Sequence, residues 1–450
     1  EISTRDWSSD VCSSDLQLSI TNGQTFTAAV TYLAGIPASG QSTLNLNGGT
    51  LNAGTMIFNV TAGAYTNTFN LNSGGLLTAD TIRRDFDGTS LAFNWNDGTI
   101  QNKSGADLSI SRGGSATTNM ILSLAGTGTH TFNAESGRTI TVSSTATLAD
   151  KSGEQGTLTK AGAGELIFQG ANTYTGLTTI NAGTLTLSSG SAIADTGAVT
   201  LANTSGATLA VNSSETIGSL RGGGSTGGNV SVASGQTLTV AETGNQTFAG
   251  AITNSGGFTK SGAGTTRLSG ANTYSGATTI SAGTLQIGDG GTTGAIGSTS
   301  GISISNGASL AFNRTDSYGG NFTRTISGAG GVILSAGTLT LQNTGNSFTG
   351  GVAVNGGTLK SLGNSAGNTI VVNSGGTLAM AGTDTWGGAT VASTPAITLN
   401  AGGTMTSDGQ FNSLRDLTLN GGTISLNGGF ASTASAFVLG GTVKIGRAHV

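Results

Sequence analysis

The segment GANTYTGLTTINAGTLTL (Gly170–Leu187) returns almost unchanged as GANTYSGATTISAGTLQI (Gly270–Ile287), 100 residues later. A weaker third copy, GNSFTGGVAVNGGTL (Gly345–Leu359), follows at an offset of only 74 residues. This unequal spacing constrains the fold more than any other feature. Tandem β-sandwiches of about 100 residues could not lose a quarter of themselves and still close. A solenoid can, because each repeat touches only its neighbours. The shortfall, 26 residues, is about one coil of such a fold. An all-β parallel β-solenoid with almost no helix is therefore the expected fold class.

The local pattern agrees. Apolar residues recur at spacing two in short bursts closed by Gly, Asn, Ser or Asp, as in STLNLNGGTLNAG (Ser42–Gly54), RTITVSS (Arg138–Ser144) and QTLTVAE (Gln236–Glu242). Such alternation predicts half-buried strands, and no stripe at helical spacing competes with it. Between the first two copies Ile167 becomes Arg267 and Thr186 becomes Gln286, which predicts solvent-facing positions. Phe168/Leu268, Leu187/Ile287, Leu185/Leu285 and Ile180/Ile280 stay apolar and should face the core. In the third copy Asn346 matches Asn172 and Asn272, and Phe348 matches Tyr174 and Tyr274. Gly350 matches Gly176 and Gly276, and Leu359 matches Leu185 and Leu285. At about 22 residues per coil and about 4.8 Å per stacked strand, Gln17–Val443 would make a rod on the order of 90 Å long.

The two ends read differently. KIGRAHV (Lys444–Val450) is what AAG ATC GGA AGA GCA CAC GTC encodes, a string resembling a short-read sequencing adapter, and DWSSDVCSSDL (Asp6–Leu16) reads as its counterpart. Residues 1–16 and 444–450 are accordingly expected to be adapter-derived and to carry no fold. Residues 17–443 are then expected to be one solenoid fragment, with clear units at 156–187 and 256–287 and a degenerate one at 331–359. Setting the ends aside removes Trp7, Cys12, which is the single cysteine, and His449. Disulfides then contribute nothing.

Composition excludes several function classes. Charged residues make up 8% of the chain and the formal net charge is −4, so there is no positive footprint for nucleic acid. No apolar run approaches the roughly 18 residues of a membrane span. The 78 glycines suit a fold that turns a corner every few residues.

The units GTLTKAGAGELIFQGANTYTGLTTINAGTLTL (Gly156–Leu187) and GGFTKSGAGTTRLSGANTYSGATTISAGTLQI (Gly256–Ile287) resemble the autotransporter-associated β-strand repeat. The resemblance rests on T-K-x-G-A-G (Thr159–Gly164, Thr259–Gly264), then G-A-N-T-Y-[TS]-G, then A-G-T-L. It implies a right-handed parallel β-helix in the passenger of an exported bacterial surface protein, displayed by a C-terminal β-barrel or another anchor outside this sequence. Partners in that setting would be surface glycans, host or neighbouring cells, or other copies of the chain. The repeat brings no catalytic residues and no cofactor with it.

Motifs with possible chemistry are few. Gly222-x-Gly224-x-x-Gly227 has the form of a dinucleotide fingerprint, but with no helix after it the segment reads as a turn. Gly223-x-Ser225-x-Gly227 and Gly363-x-Ser365-x-Gly367 match the nucleophile-elbow pattern, which needs a histidine partner. His130, in GTGTHTFN, is the remaining histidine and reads as a lone solvent-facing side chain. The densest charged stretch, ADTIRRDFDGTSLAFNWNDG (Ala79–Gly98), offers Asp80, Asp85, Asp87 and Asp97 as candidate calcium ligands, the first three foremost. With Arg83 and Arg84 it could alternatively form the acidic and basic cluster of a β-helical polysaccharide lyase or hydrolase. The plainer reading is a polar loop. Tyr174, Tyr274 and Phe348 read as corner packing before sugar platforms, and Asn172, Asn272 and Asn346 as turn formers. The expected function is thus a non-catalytic, surface-displayed stalk with possible adhesive contacts, the alternatives being a lyase or a calcium-stabilised rod.

Overall fold

The computed structural model describes residues 15–33, 41–59, 66–87, 90–318, 322–361, 368–380, 395–407, 412–414, 416–426, 437–439 and 443–445. Among these residues there is no helix, and the strands stack in parallel as a β-solenoid. The chain divides into two compact units, Glu1–Leu238 and Thr239–Val450, where the repeats suggest one body. Strand Asp15–Thr21 and strand Val443–Ile445 carry regular backbone across both expected adapter boundaries.

In the first unit each coil lays its strands on up to three stacked sheets. One sheet holds Gln41–Asn47, Thr66–Leu71, Ser90–Trp95, Met120–Leu124 and Ala146–Asp150. A second runs through Gly98–Asn102, His130–Asn133, Leu158–Ala161, Thr178–Ile180 and Ala198–Leu201, and a third through Thr139–Val142, Glu165–Phe168, Thr184–Leu187 and Thr208–Val211. In-register partners Leu166, Leu185, Leu209 and Val230 lie 19, 24 and 21 residues apart, so coils differ in length while the ladder stays in register.

Alternation along each strand sends every second side chain inward, which stacks like on like between coils. Leu44, Phe69, Phe93, Leu122 and Leu148 form one such buried column. Phe69 and Phe93 meet with centroids 4.8 Å apart, as do Trp95 and Phe132. Each fully buried Leu or Phe is worth about 1.5–3 kcal/mol over its exposed state, and with so few charges this burial and the backbone ladders carry the fold. Outward positions form their own ladders. Asn94 donates its amide to Asn70 Oδ1 at 2.8 Å, and Asn70 to Asn45 at 2.7 Å.

The second unit is built the same way. Its first sheet runs through Thr278–Ile280, Ile302–Ile304, Ile326–Gly328 and Ser347–Phe348. A second runs through Thr284–Ile287, Ser309–Asn313, Gly331–Ala336, Val352–Val354 and Thr369–Val372. A third begins at Thr338–Thr340 and stacks Gly357–Ser361, Gly376–Met380 and Thr404–Ser407 on it. The column that holds Lys260 and Ile280 passes through Ile304 to Gly328 and then Phe348, not to Val354, the equivalent of Ile280 in the repeat. Val354 instead continues the column of Ile287, Phe312 and Leu334. The 74-residue offset is therefore three coils plus one face. The third copy keeps the motif but presents it one sheet further round.

The inward and outward assignments of the repeat hold with one exception. Phe168, Leu187, Leu268 and Ile287 are buried, and Arg267 is part-exposed. Thr186 is only 4% exposed, because its hydroxyl donates to the Glu165 carboxylate that lies over it.

Candidate functional site

The repeat motif is a device for joining coils. Asn172 accepts the Leu148 N–H at 2.8 Å through Oδ1 and donates through Nδ2 to the Ala192 carbonyl at 2.8 Å. Asn272 does the same with Ile252 N–H (2.7 Å) and Ala295 O (2.6 Å), and Asn346 Oδ1 accepts Ile326 N–H at 2.9 Å. Each side chain is at least 95% buried, so the amide replaces water for backbone groups that a corner leaves unpaired. Glu215 plays the acceptor half of this part, taking the N–H groups of Ala192 and Ile193.

The aromatic next to the asparagine is fixed in the same manner. The Tyr174 hydroxyl meets Thr178 Oγ1 at 2.7 Å and Tyr274 meets Thr278 Oγ1 at 2.8 Å, all inside the core. Burial pushes both phenols well above their ordinary pKa. In the third copy Phe348 has lost the hydroxyl, and the residue four further on is Val352, so donor and acceptor have vanished together. A buried hydroxyl without a partner costs about 1–3 kcal/mol, which is why the pair changes as a unit. Tyr174→Phe should accordingly destabilise by about 1–2 kcal/mol, and adding Thr178→Val should recover most of it. A double-mutant cycle in urea checks this.

The sequence-nominated charges are also occupied. Arg83 pairs with Asp85 at 2.8 Å, and Arg84 with Asp87 at 3.3 Å. Asp87 further accepts both the N–H and the hydroxyl of Thr117 (2.7 and 2.5 Å) and of Thr118 (3.1 and 2.6 Å). Those bonds hold its carboxyl far below the usual range. Asp80 accepts the Thr55 hydroxyl at 3.3 Å, and Asp97 the N–H groups of Gly98 and Thr129. Among the described residues no group of three or more His, Cys, Asp or Glu side chains could hold a metal. Asp80, Asp87 and Asp97 thus bond residues of other coils, while Asp85 pairs with Arg83 in its own segment.

His130 corrects the sequence reading. It is fully buried, not solvent-facing, and its ring stands edge-on to Trp95 at 5.5 Å with Nδ1 donating to Thr157 O at 2.7 Å. Burial lowers its pKa from the ordinary imidazole value. The glycine turn after Arg221 is filled as well. Asn203 Oδ1 accepts the N–H groups of Thr226 and Gly227 at 2.9 and 3.1 Å, which leaves no open amide cradle there for a phosphate. The second elbow match, Gly363–Gly367, lies outside the described residues.

Two buried cations escaped the sequence reading. Lys160 donates to the carbonyls of Ala161 (2.7 Å), Gly162 (2.8 Å) and Ala182 (3.1 Å). Lys260 binds Ser261 O (2.6 Å), Gly262 O (2.7 Å), Ala282 O and Glu242 O. Both are fully covered, and burial pulls each down to about 8. Glu215 is shifted the other way, its burial lifting it to about 7. A carboxyl whose folded pKa is raised stabilises below its unfolded value of 4.5, and that stability is lost as pH rises through 7. Glu215→Gln should therefore flatten the fall in melting temperature between about pH 4.5 and 7. Thermal melts of both proteins across that window test the sign.

Such an arrangement defines a class of protein, a β-solenoid whose repeated motif residues serve coil stacking. Comparison with known proteins is more specific. The passenger-associated-transport-repeat family matches residues 158–187, 258–287 and 328–360, close to the three units read from the sequence. Over 120 residues the chain is 39% identical to the adhesin BmaC autotransporter of Brucella suis biovar 1 (strain 1330), a match that covers 25% of this chain and 3% of that protein. Three segments of the chain thus match the passenger-associated transport repeat, and one stretch is similar to part of an autotransporter adhesin.

Proposed function

We propose that the chain is a non-catalytic β-solenoid stalk from the passenger of an exported protein at the surface of a Gram-negative bacterium, and that it makes adhesive surface contacts. The observation that carries this reading is that the repeat's polar side chains are spent on joining coils. Asn172, Asn272, Lys160 and Lys260 all bond backbone groups of adjacent coils. The passenger-repeat match supports export, and the relative's description as an adhesin supports surface binding. Among the described residues no helix is long and apolar enough to cross a membrane. Against the lyase alternative, Arg83 and Arg84, at the end of strand Thr81–Arg84, are neutralised by Asp85 and Asp87 just beyond it.

Antibodies raised against the purified chain should label intact producing cells, and protease added outside should remove the signal. The purified chain should release no unsaturated product from polygalacturonate or alginate. Labelling only after permeabilisation would overturn the export reading, and product release would overturn the non-catalytic one.

A further inference from the structure

The second unit departs from plain coil stacking where two long connections leave the sheets side by side. Residues 288–301 link Thr284–Ile287 to Ile302–Ile304, and residues 314–325 link Ser309–Asn313 to Ile326–Gly328. The described parts of these connections, together with Asn272 and Thr273, line an open pocket of about 410 Å³. That is within the 300–1,000 Å³ range of small-molecule sites and suits one pyranose ring.

Its walls are pre-arranged. Arg314 is held by Asp316 (Nε to Oδ1, 2.8 Å) and by Thr292 O (2.6 Å), and lies 4.9 Å over the ring of Tyr318. The Tyr318 hydroxyl accepts the Ile296 N–H at 2.8 Å, and Phe322 is buried behind it. Arg314 and Asp316 thus cancel. Arg324 does not share that fate. It donates to Gly297 O through Nε (3.3 Å) and Nη2 (3.2 Å), and to Thr323 Oγ1 through Nη1 (3.1 Å), with no carboxylate partner among the described residues. A guanidinium has five N–H groups in a planar fork, so two remain for a ligand. The pocket therefore carries an uncompensated positive charge in a chain of net charge −4. Thr273 and Ser298 are exposed at its rim; the Ser298 hydroxyl donates to Thr273 O at 3.4 Å and keeps its lone pairs to accept from a ligand.

From this we infer that the pocket binds the carboxylated pyranose of an acidic glycan, its carboxylate on Arg324 and its ring hydroxyls on Thr273 and Ser298. An acidic peptide fits less well. A peptide adding as a strand would need a free sheet edge, and Ile302–Ile304 and Ser309–Asn313 are each paired on both sides. Recognition of an acidic motif takes a cluster of arginines, and here Arg314 is already neutralised by Asp316. The inference rests on the surface-binding part of the proposed function and gives it a location.

Calorimetric titration with tetragalacturonate, a neutral galactose tetrasaccharide and a poly-glutamate peptide tests it. Only the uronate should bind, and more weakly as salt rises. Arg324→Gln should lower its affinity at least tenfold. Thr273→Trp, a change on the exposed rim, should block the pocket and decides the matter if Arg324→Gln does not fold. No uronate binding, equal binding of the neutral sugar or the peptide, or full affinity in the folded variants would overturn the inference. If cells still label from outside in that case, the stalk reading stands and only this site falls.

Discussion

Lys160→Glu is expected to destabilise the first unit by about 3–5 kcal/mol, the cost of an uncompensated buried charge. The native ammonium is fully covered and sits among three carbonyl oxygens, two from its own corner and one, Ala182 O, from the next. A carboxylate there would face those oxygens with no donor of its own. Lys160→Met should be milder, about 1–3 kcal/mol, since it leaves the carbonyls unpaired without adding a like charge. The pH dependence gives an independent reading. Because burial lowers Lys160 from 10.5 to about 8, the unfolded chain holds more protons between those values. This group's contribution therefore rises with pH across that window, and Lys160→Met should remove the slope. Urea melts of the three proteins at pH 7 and pH 10 separate these outcomes.

Gly276→Val should cost about 3 kcal/mol, at the upper end for overpacking, because nothing at that position can yield. A Cβ on Gly276 would lie 2.4 Å from the carbonyl carbon and oxygen of Gly256, backbone atoms of the coil beneath. The equivalent Gly176 and Gly350 meet Gly156 O and Gly330 C at 2.3 Å. The repeat's glycine is thus required by the approach of two backbones, and its partner is itself a glycine one coil earlier. Gly291, with nothing within 4 Å of its Cβ position, is the control, and Gly291→Ala should leave the urea midpoint nearly unchanged.

Much of this architecture was legible in the sequence because a strand's period is two and a coil's neighbours are fixed. Copy-to-copy changes such as Ile167 to Arg267 separated outside from inside without any structure. The unequal offsets pointed to a solenoid, although the shift is three coils and one face, which only the register of Phe348 and Val354 reveals. His130 could have been placed correctly. It shares strand parity with Phe132, so alternation puts both inward, and its polarity misled the reading. The Tyr–Thr to Phe–Val exchange was equally visible. Lys160 was not, since a lysine at an inward position reads as a break in the pattern until Ala182 O is known to lie within reach. The Asp80–Asp87 cluster failed to gather for a related reason. Its partners, Thr55, Thr117 and Thr118, sit about 25–31 residues away in sequence and meet it only through stacking.

The central claim is that residues far apart in sequence lie a few strand spacings apart along one column. Thr99, Thr131, Thr159, Thr179 and Thr200 are consecutive in-register partners on a single sheet of the first unit. Spin labels at Thr99 and Thr200, read by pulsed electron paramagnetic resonance, test it most directly. Four parallel steps of about 4.8 Å place the two backbones roughly 19 Å apart, with a narrow distribution once label length is included. A broad distribution, or a mean beyond about 35 Å, would contradict the stacked-coil account, since no in-register column of four steps reaches that far.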